Sequence, residues 1–344
     1  MDNTQNFRKQ RLGLVAAYMF AVLALVAFKG WRFMITPLNI PESGYVLWVP
    51  PGASAFTISR QLAKEGILLR ERWFLTLVHL QGLQKRLKAG EYALKVDMRP
   101  YEVLRLIADG KVIQYAFTII EGWTFQELCT ALETQVKLEH SLQGLTADEI
   151  MARLGYAGVH PEGRFYPDTY YFSLGDSDLA LMQRAYKKLQ GLLNEYWLNR
   201  DQELPYKTPY EALILASIIQ KESAIFAEYP EIAGVYIRRI LKRMPLQADP
   251  TTRYGLGAAL KGPLLYKHLK SPSLYNTYQH RGLPPTPIAM AGKDAIKAAL
   301  HPKAGTTLYF VATGRGDHWF STTWQEHVAA VARYQLFKKT AEKK

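Results

Sequence analysis

Apolar and polar positions along this chain fall into blocks of different period. Leu12 to Phe28 is an uninterrupted run of 17 residues without a charge. As a helix it is roughly 25 Å long, slightly short of a ~30 Å hydrocarbon core. No polar face breaks it, so a membrane span fits better than a buried core helix. Thr36 to Ser43, with two prolines, reads as a linker. Tyr45–Val49 is strand-like, Pro50, Pro51 and Gly52 turn the chain, and Ser54–Glu65 is helical up to Gly66. Strand-like Gly90–Val96 precedes a helix Arg99–Asp109 with Gly110 as its C-cap. Val112–Ile120 alternates as a strand, Glu121 and Gly122 turn it, and Phe125–Glu133 is helical. Strand, turn and helix thus recur without a regular period, which argues against a solenoid.

Polar Glu139–Thr146 reads as a loop, and helices are expected over Asp148–Leu154 and Asp178–Trp197. Leu308–Ala312 and His318–Ser321 form a hairpin around Gly314 and Gly316. A closing helix, Trp324–Lys338, carries Val328, Val331 and Leu336 as its core stripe. The remaining helix, Tyr210–Phe226, holds the position of most chemical interest. Leu215, Ile218 and Ile219 lie seven, four and three residues before Glu222 and share its face. A carboxyl that continues an apolar stripe is desolvated, which favours its neutral form. The negative end of the helix dipole acts in the same direction. A raised carboxyl pKa suits a general acid. The competing reading ends the helix there and turns Glu222 into solvent.

Charge changes the picture at the N-terminus. Arg8, Lys9 and Arg11 precede the apolar run with only Asp2 against them, which places the N-terminus in the cytoplasm. Lys29 and Arg32 can snorkel, and Trp31 and Phe33 suit the interface. Bulky residues Phe28 to Arg32 stand where a signal peptidase needs small ones, so an uncleaved anchor is expected. The net charge of +13, from 43 Lys and Arg against 30 Asp and Glu, fits an anionic membrane face or polyanionic wall. Nucleic acid is not expected as a partner, because no helix-turn-helix, zinc-finger or RNP signature is present. Lys338, Lys339, Lys343 and Lys344 read as a solvated tail. A single cysteine, Cys129, excludes an intramolecular disulfide and a multi-cysteine zinc site. The eight histidines show no metal-binding spacing, and Ser217 lacks the context of a hydrolase nucleophile. Neither metal nor cofactor is expected.

Six blocks together carry a resemblance. They are PEGRFYPDTYYF (Pro161–Phe172), ASIIQKE (Ala216–Glu222), IAGVYIRRI (Ile232–Ile240), LQADPTTRYGLG (Leu246–Gly257), SPSLYNTYQHRGLPPTPI (Ser271–Ile288) and LYFVATGRGDHWFSTT (Leu308–Thr323). In order and spacing the chain resembles the endolytic murein transglycosylase, or YceG-like, family from about Val46 to its C-terminus. The resemblance implies an α+β fold: a cytoplasmic tail (1–11), a transmembrane anchor (12–33), a linker (34–44), a small LysM-like module (45–112) and a mixed α+β catalytic domain (113–344). It implies a single-pass protein of the bacterial inner membrane with its bulk outside the cytoplasm. The expected activity is that of a lyase on the β-1,4 bond between N-acetylmuramic acid and N-acetylglucosamine, leaving 1,6-anhydro ends. Its implied partners are peptidoglycan glycan strands, the cytoplasmic membrane, and peptidoglycan synthases with the elongation and division machinery.

Within the family the Glu that closes the A-S-I-x-x-K-E run is the catalytic acid, here Glu222. The matching blocks imply a substrate groove of Gln247, Asp249, Thr251, Tyr254, Asn276, Thr277 and Tyr278. Pro284, Pro285 and Pro287 stiffen a neighbouring loop. Asp249, Asp168 and Glu162 are the candidates for a second acid, which a hydrolytic muramidase would need. Asp249 precedes Pro250, which favours an extended backbone and a turn-capping role. Gln220, Ala291 and Thr313 depart from the family pattern, which has an acid, a proline and an aspartate there. A non-catalytic glycan-binding scaffold is the alternative outside enzymes, and for the LysM-like module the alternative is a plain spacer.

Overall fold

The computed structural model describes residues 3–341, with side chains described from Arg11 to Tyr334. The side chains of Arg8, Lys9, Leu336, Lys338 and Lys339, and residues Asp2, Lys343 and Lys344, lie outside the described residues. The chain divides into two compact units, one of residues 1–115 with 173–175 and one of residues 116–172 with 176–344. The fold class is mixed α+β.

The first unit begins with α1 (Asn3–Ile35). Its stretch Arg11–Ile35 is long and apolar enough to cross a membrane, and none of its most apolar window is buried. Next come β1 (Tyr45–Val49), α2 (Ala55–Lys64), α3 (Glu71–Leu80), β2 (Gly90–Leu94) and α4 (Pro100–Asp109). β1 and β2 pair antiparallel, Tyr45 opposite Leu94 and Val49 opposite Gly90. Ser54 caps α2 by accepting from the Thr57 amide, and Gly110 closes α4 in the left-handed conformation. The core gathers Leu47, Val49, Ile58, Leu62, Phe74, Val78, Tyr92, Leu94, Val103 and Ile107. The expected linker is not a free tether. Leu38 and Ile40 are buried in this core, and the Leu38 and Asn39 amides donate to the Met98 and Ile67 carbonyls. Helix α3 had no counterpart in the sequence reading.

The second unit contains β3 (Tyr115–Thr118, its first residue lying at the boundary), α5 (Phe125–Glu133), α6 (Ala147–Arg153), β4 (Thr169–Phe172), α7 (Asp178–Leu198), α8 (Pro209–Glu222), α9 (Tyr229–Leu241), α10 (Asp249–Leu256), α11 (Lys293–Leu300), β5 (Tyr309–Ala312), β6 (His318–Ser321) and α12 (Trp324–Ala341). β3 pairs with β4, and β5 with β6 in an antiparallel hairpin. Helix α8 is the hub, packed against α7, α9, α10 and α11. Ala212 to Ile219 are all buried, so α8 is covered on every side, where the spacing had suggested one stripe. Ser217 sits among them, donating to the Ile214 carbonyl and accepting from the Ile288 amide. It ties the segment after the proline loop to α8.

The stripe expected on α12 is rotated. Val328 is 47% exposed, while Ala330 is buried and Val331 half-buried. The helix packs instead through His327, stacked on Tyr309 at 5.2 Å, and through Tyr334 against Trp319. An aromatic hairpin surface selects the aromatic face of the helix over its valine.

Close packing also sets a glycine. Gly163 has φ +71°, and a Cβ there would lie 2.4 Å from the Pro287 Cβ. Gly158 has a similar φ, +77°, but open space around it. Gly158→Ala should therefore cost about 1–2 kcal/mol, for the left-handed backbone alone. Gly163→Ala should cost about 1–3 kcal/mol more, for overpacking. Chemical denaturation of both variants checks this, and equal losses would remove the Pro287 contact from the account.

Candidate active site

Glu222 is the last residue of α8, and Ser223 is already extended (φ −135°, ψ 149°). The helix thus ends four residues before the expected Phe226. The break is held by side chains. Ser223 Oγ donates to Glu228 Oε2 (2.8 Å) and accepts from the Ile225 amide (3.0 Å). Glu228 also accepts from the His318 amide and pairs with His318 Nδ1, both at 2.7 Å. Although the helix ends here, the carboxyl does not turn into solvent. Helix α9 folds back and presents fully buried Tyr236, whose hydroxyl donates to Glu222 Oε1 in a short hydrogen bond. No hydrogen bond from the described residues reaches Oε2.

The residue is half-buried, and its carboxyl is the deep part. Burial is the largest influence and pushes its pKa up to about 7. The Tyr236 hydrogen bond and the Arg239 charge pull it down, and the Asp249 charge pushes it up. Arg239 is itself buried. Its Nε donates to the Leu308 carbonyl (2.7 Å) and its Nη1 to the Leu246 carbonyl (2.8 Å). It therefore braces the loop before α10 and the hairpin while lending its charge to Glu222.

Six of the seven expected groove residues fall into three groups. Asp249 and Tyr278 belong to the surroundings of Glu222, and the Tyr278 hydroxyl donates to Asp249 Oδ1 at 2.6 Å. Gln247 is exposed, in the left-handed region at φ +53°, with its amide on the Thr277 carbonyl. Thr251, Asn276 and Thr277 are buried and form a scaffold. Thr251 Oγ1 and Thr277 Oγ1 lie 2.9 Å apart, and Thr277 Oγ1 accepts from the Ala248 amide. Asn276 donates to the Leu269 and Ser271 carbonyls and accepts from Thr252 and from the Tyr278 amide. All four hydrogen bonds of that amide are used inside the protein, so it orients Tyr278 and has none left for a sugar. Tyr254 is in none of them. Its hydroxyl donates to Glu162 Oε2 at 3.0 Å.

The second-acid candidates are placed as follows. Glu162 is buried, with a pKa pushed up to about 7 by burial, and accepts from the Phe125 and Gly163 amides as well as Tyr254. Asp168 is ion-paired with Lys188 and held below the usual carboxylate range. Asp249 does not sit in a turn before Pro250. It opens α10, where the positive end of the helix suits a carboxylate. Gln220 makes good use of its amide: Oε1 accepts from the Gly292 amide, and Nε2 donates to Tyr229 Oη and Glu121 Oε2. An ionised acid at 220 has no donor for Glu121.

Tyr236 and Arg239 were missed as site residues. Their signal was present in IAGVYIRRI: Ile232, Val235, Tyr236 and Arg239 follow the i, i+3, i+4, i+7 pattern, which puts an arginine on the core face. The pairing of Glu228 with His318, 90 residues apart, has no local signature.

A carboxyl that keeps its proton to about pH 7 at the end of the central helix has the acidity a general acid needs. Comparison with known proteins identifies the family. The YceG-like family matches residues 47–333, and the chain belongs to that family. A protein of Bacillus subtilis named endolytic murein transglycosylase is 30% identical over 83% of this chain and 83% of its own length. A protein of the same name from Streptococcus pneumoniae is 23% identical over 91% of this chain and 63% of its own length. A solved YceG-like protein of Listeria monocytogenes superposes with a TM-score of 0.53 at 28% identity, over 84% of this chain and 99% of that one.

The raised pKa has a consequence for stability. Folded, Glu222 keeps its proton up to about pH 7, whereas an ordinary carboxyl releases it at 4.5. The stability this contributes is complete below the unfolded pKa and is lost as pH rises through the folded one. Glu222→Gln cannot ionise. It should match the parent at about pH 4 and exceed it by about 1–3 kcal/mol at about pH 8. Urea titrations at the two pH values check this, and equal stability at the higher pH contradicts it.

Proposed function

We propose that this chain is a membrane-anchored lytic transglycosylase that cuts peptidoglycan glycan strands internally, with Glu222 as acid and then base. The names of the relatives support the reaction, and the carboxyl at the end of α8 carries the mechanism. Protonated Glu222 gives its proton to the glycosidic oxygen as the C1–O4 bond to N-acetylglucosamine breaks. The ionised carboxylate then takes the proton from the muramyl C6 hydroxyl as O6 bonds to C1. The 1,6-anhydro ring closes, no water enters, and Glu222 regains its proton. A pKa near operating pH serves both halves of this exchange. Oε2 is the natural proton carrier, because Tyr236 occupies Oε1.

α1 would anchor the chain in the inner membrane with its N-terminus in the cytoplasm, confining cutting to strands near the membrane. The β–α–α–β order of Tyr45–Leu94, with its strands antiparallel, supports a LysM-like module there. Synthases and the elongation and division machinery are the partners such a position favours. Of the seven groove candidates, we assign substrate contact to Asp249, whose charge acts on Glu222, to Tyr278, on which the Glu222 charge acts, and to exposed Gln247.

One observation favours a second reading. The Asp249 charge acts on Glu222, which makes Asp249 the candidate for the second acid of a hydrolytic muramidase. Mass spectrometry of products separates the two, since anhydro ends are lighter by one water than reducing ends. The parent protein should release anhydro-muropeptides, and Glu222→Gln should lower the rate by about 10²–10⁴-fold. Reducing muramyl ends would establish the muramidase, and unchanged release by Glu222→Gln would remove Glu222 as the acid.

The hydrogen bond from Tyr236 favours the ionised carboxylate, so its loss raises the Glu222 pKa further. Tyr236→Phe should therefore move the alkaline limb of the pH–rate profile upward. A limb left in place would mean that another group sets it.

A further inference from the structure

The first unit holds a cleft of about 540 Å³ where α1 meets the loop between α2 and α3. One wall is a single face of α1: Leu25, Phe28, Lys29 and Arg32 follow i, i+3, i+4, i+7 spacing. The other wall includes Leu69 and Arg70. The walls are held at a fixed separation by a close approach, since a Cβ on Gly30 would lie 3.1 Å from the Trp73 ring of α3. Among the described residues no acidic side chain lines the cleft, and Glu71 faces the adjoining surface. Lys29, Arg32 and Arg70 make no ion pair among the described residues. Leu69 is 83% exposed and Phe28 53%. Three unpaired cations beside exposed apolar groups, at the outer end of a span, match a ligand with an anionic head and a hydrocarbon tail.

We infer that this cleft binds one anionic glycerophospholipid, its phosphodiester on Lys29, Arg32 and Arg70 and its chains along Leu25, Phe28 and Leu69. The inference rests on reading α1 as a membrane anchor. The lipid fixes the angle at which the first unit leaves the bilayer, because it bridges the end of the span and the start of α3. A glycerophospholipid suits the place better than a soluble phosphate, since the apolar wall continues directly into the span.

The test reconstitutes the full chain in nanodiscs of equal phosphatidylcholine and phosphatidylglycerol, then identifies retained lipid by native mass spectrometry after mild extraction. One phosphatidylglycerol should be retained, enriched roughly tenfold over phosphatidylcholine. Arg32→Gln with Arg70→Gln should abolish the enrichment, and Arg32→Lys with Arg70→Lys should keep it. Lys64→Gln with Arg105→Gln removes the same charge elsewhere on the unit and should change nothing. Equal retention of the two lipids, or the same loss in the control pair, overturns the site. Displacement of the lipid by equimolar farnesyl diphosphate also overturns it, in favour of a prenyl diphosphate. Flotation on pure phosphatidylcholine liposomes tests the anchor separately. A chain that does not float defeats the anchor reading, whereas one that floats without phosphatidylglycerol preference defeats only the lipid site.

Discussion

The structure depends on keeping a carboxyl at the buried end of a helix. Water would stabilise the ionised form there, and the helix dipole opposes a second negative charge at that end. The second unit meets this constraint by fixing α8 first. Eight consecutive buried residues, Ala212 to Ile219, leave the helix no freedom to roll or slide, so Glu222 is delivered one turn after Ile218 at a set depth. Ser223 then has to leave the helix at once. Its link to Glu228, and that of Glu228 to His318 on the hairpin, make the exit independent of the acid itself.

Opposing influences then set the acidity. A direct ion pair with Arg239 would hold Glu222 ionised at neutral pH. The guanidinium instead points its hydrogen bonds at the carbonyls of Leu308 and Leu246, so only its field reaches the carboxyl. Among the described residues Tyr236 supplies the one hydrogen bond to it, and Asp249 supplies a countervailing negative charge. Asp249 in turn is held by Tyr278, and Tyr278 by the buried amide of Asn276. Of the residues that read as a sugar-binding set, Asp249 and Tyr278 therefore lie around the Glu222 carboxyl, Asn276 holds Tyr278 in place, and Tyr254 belongs to Glu162.

The apolar run of α1, the β1, α2, β2 and α4 order, the hairpin and the helix carrying Glu222 were legible because local pattern and capping chemistry agreed there. Gly66, Gly110 and Ser54 mark their boundaries in single residues. What escaped was non-local. Helices α3 and α11 have no strong start signal that a single sequence shows, α9 opens through Pro230 without a side-chain cap, and α10 opens through Asp249 and Pro250, a pair that in isolation favours a turn. Val328 was misjudged because the partner surface of α12 is a ring-rich hairpin, a fact that its own spacing does not contain. Tyr236 was legible in principle. Its place beside the acid was not, since that requires knowing that α9 returns along α8.

Glu162 shows why an elevated pKa is insufficient to mark the proposed acid. Burial raises it to about 7, as for Glu222. Yet Glu162 is enclosed by three donors: the Phe125 amide at the start of α5, the Gly163 amide, and the Tyr254 hydroxyl. Both of its oxygens are committed to holding the Pro161–Phe172 segment against α5 and α10. Among the described residues Glu222 has one donor, on one oxygen. A general acid must exchange its proton with something outside the protein, so the free lone pairs on Oε2 distinguish the two carboxyls more sharply than their acidity does. The difference originates in chain geometry. Glu162 sits within a loop whose own amides turn back to it, while Glu222 ends a helix whose next peptide is already extended and carries its amide away.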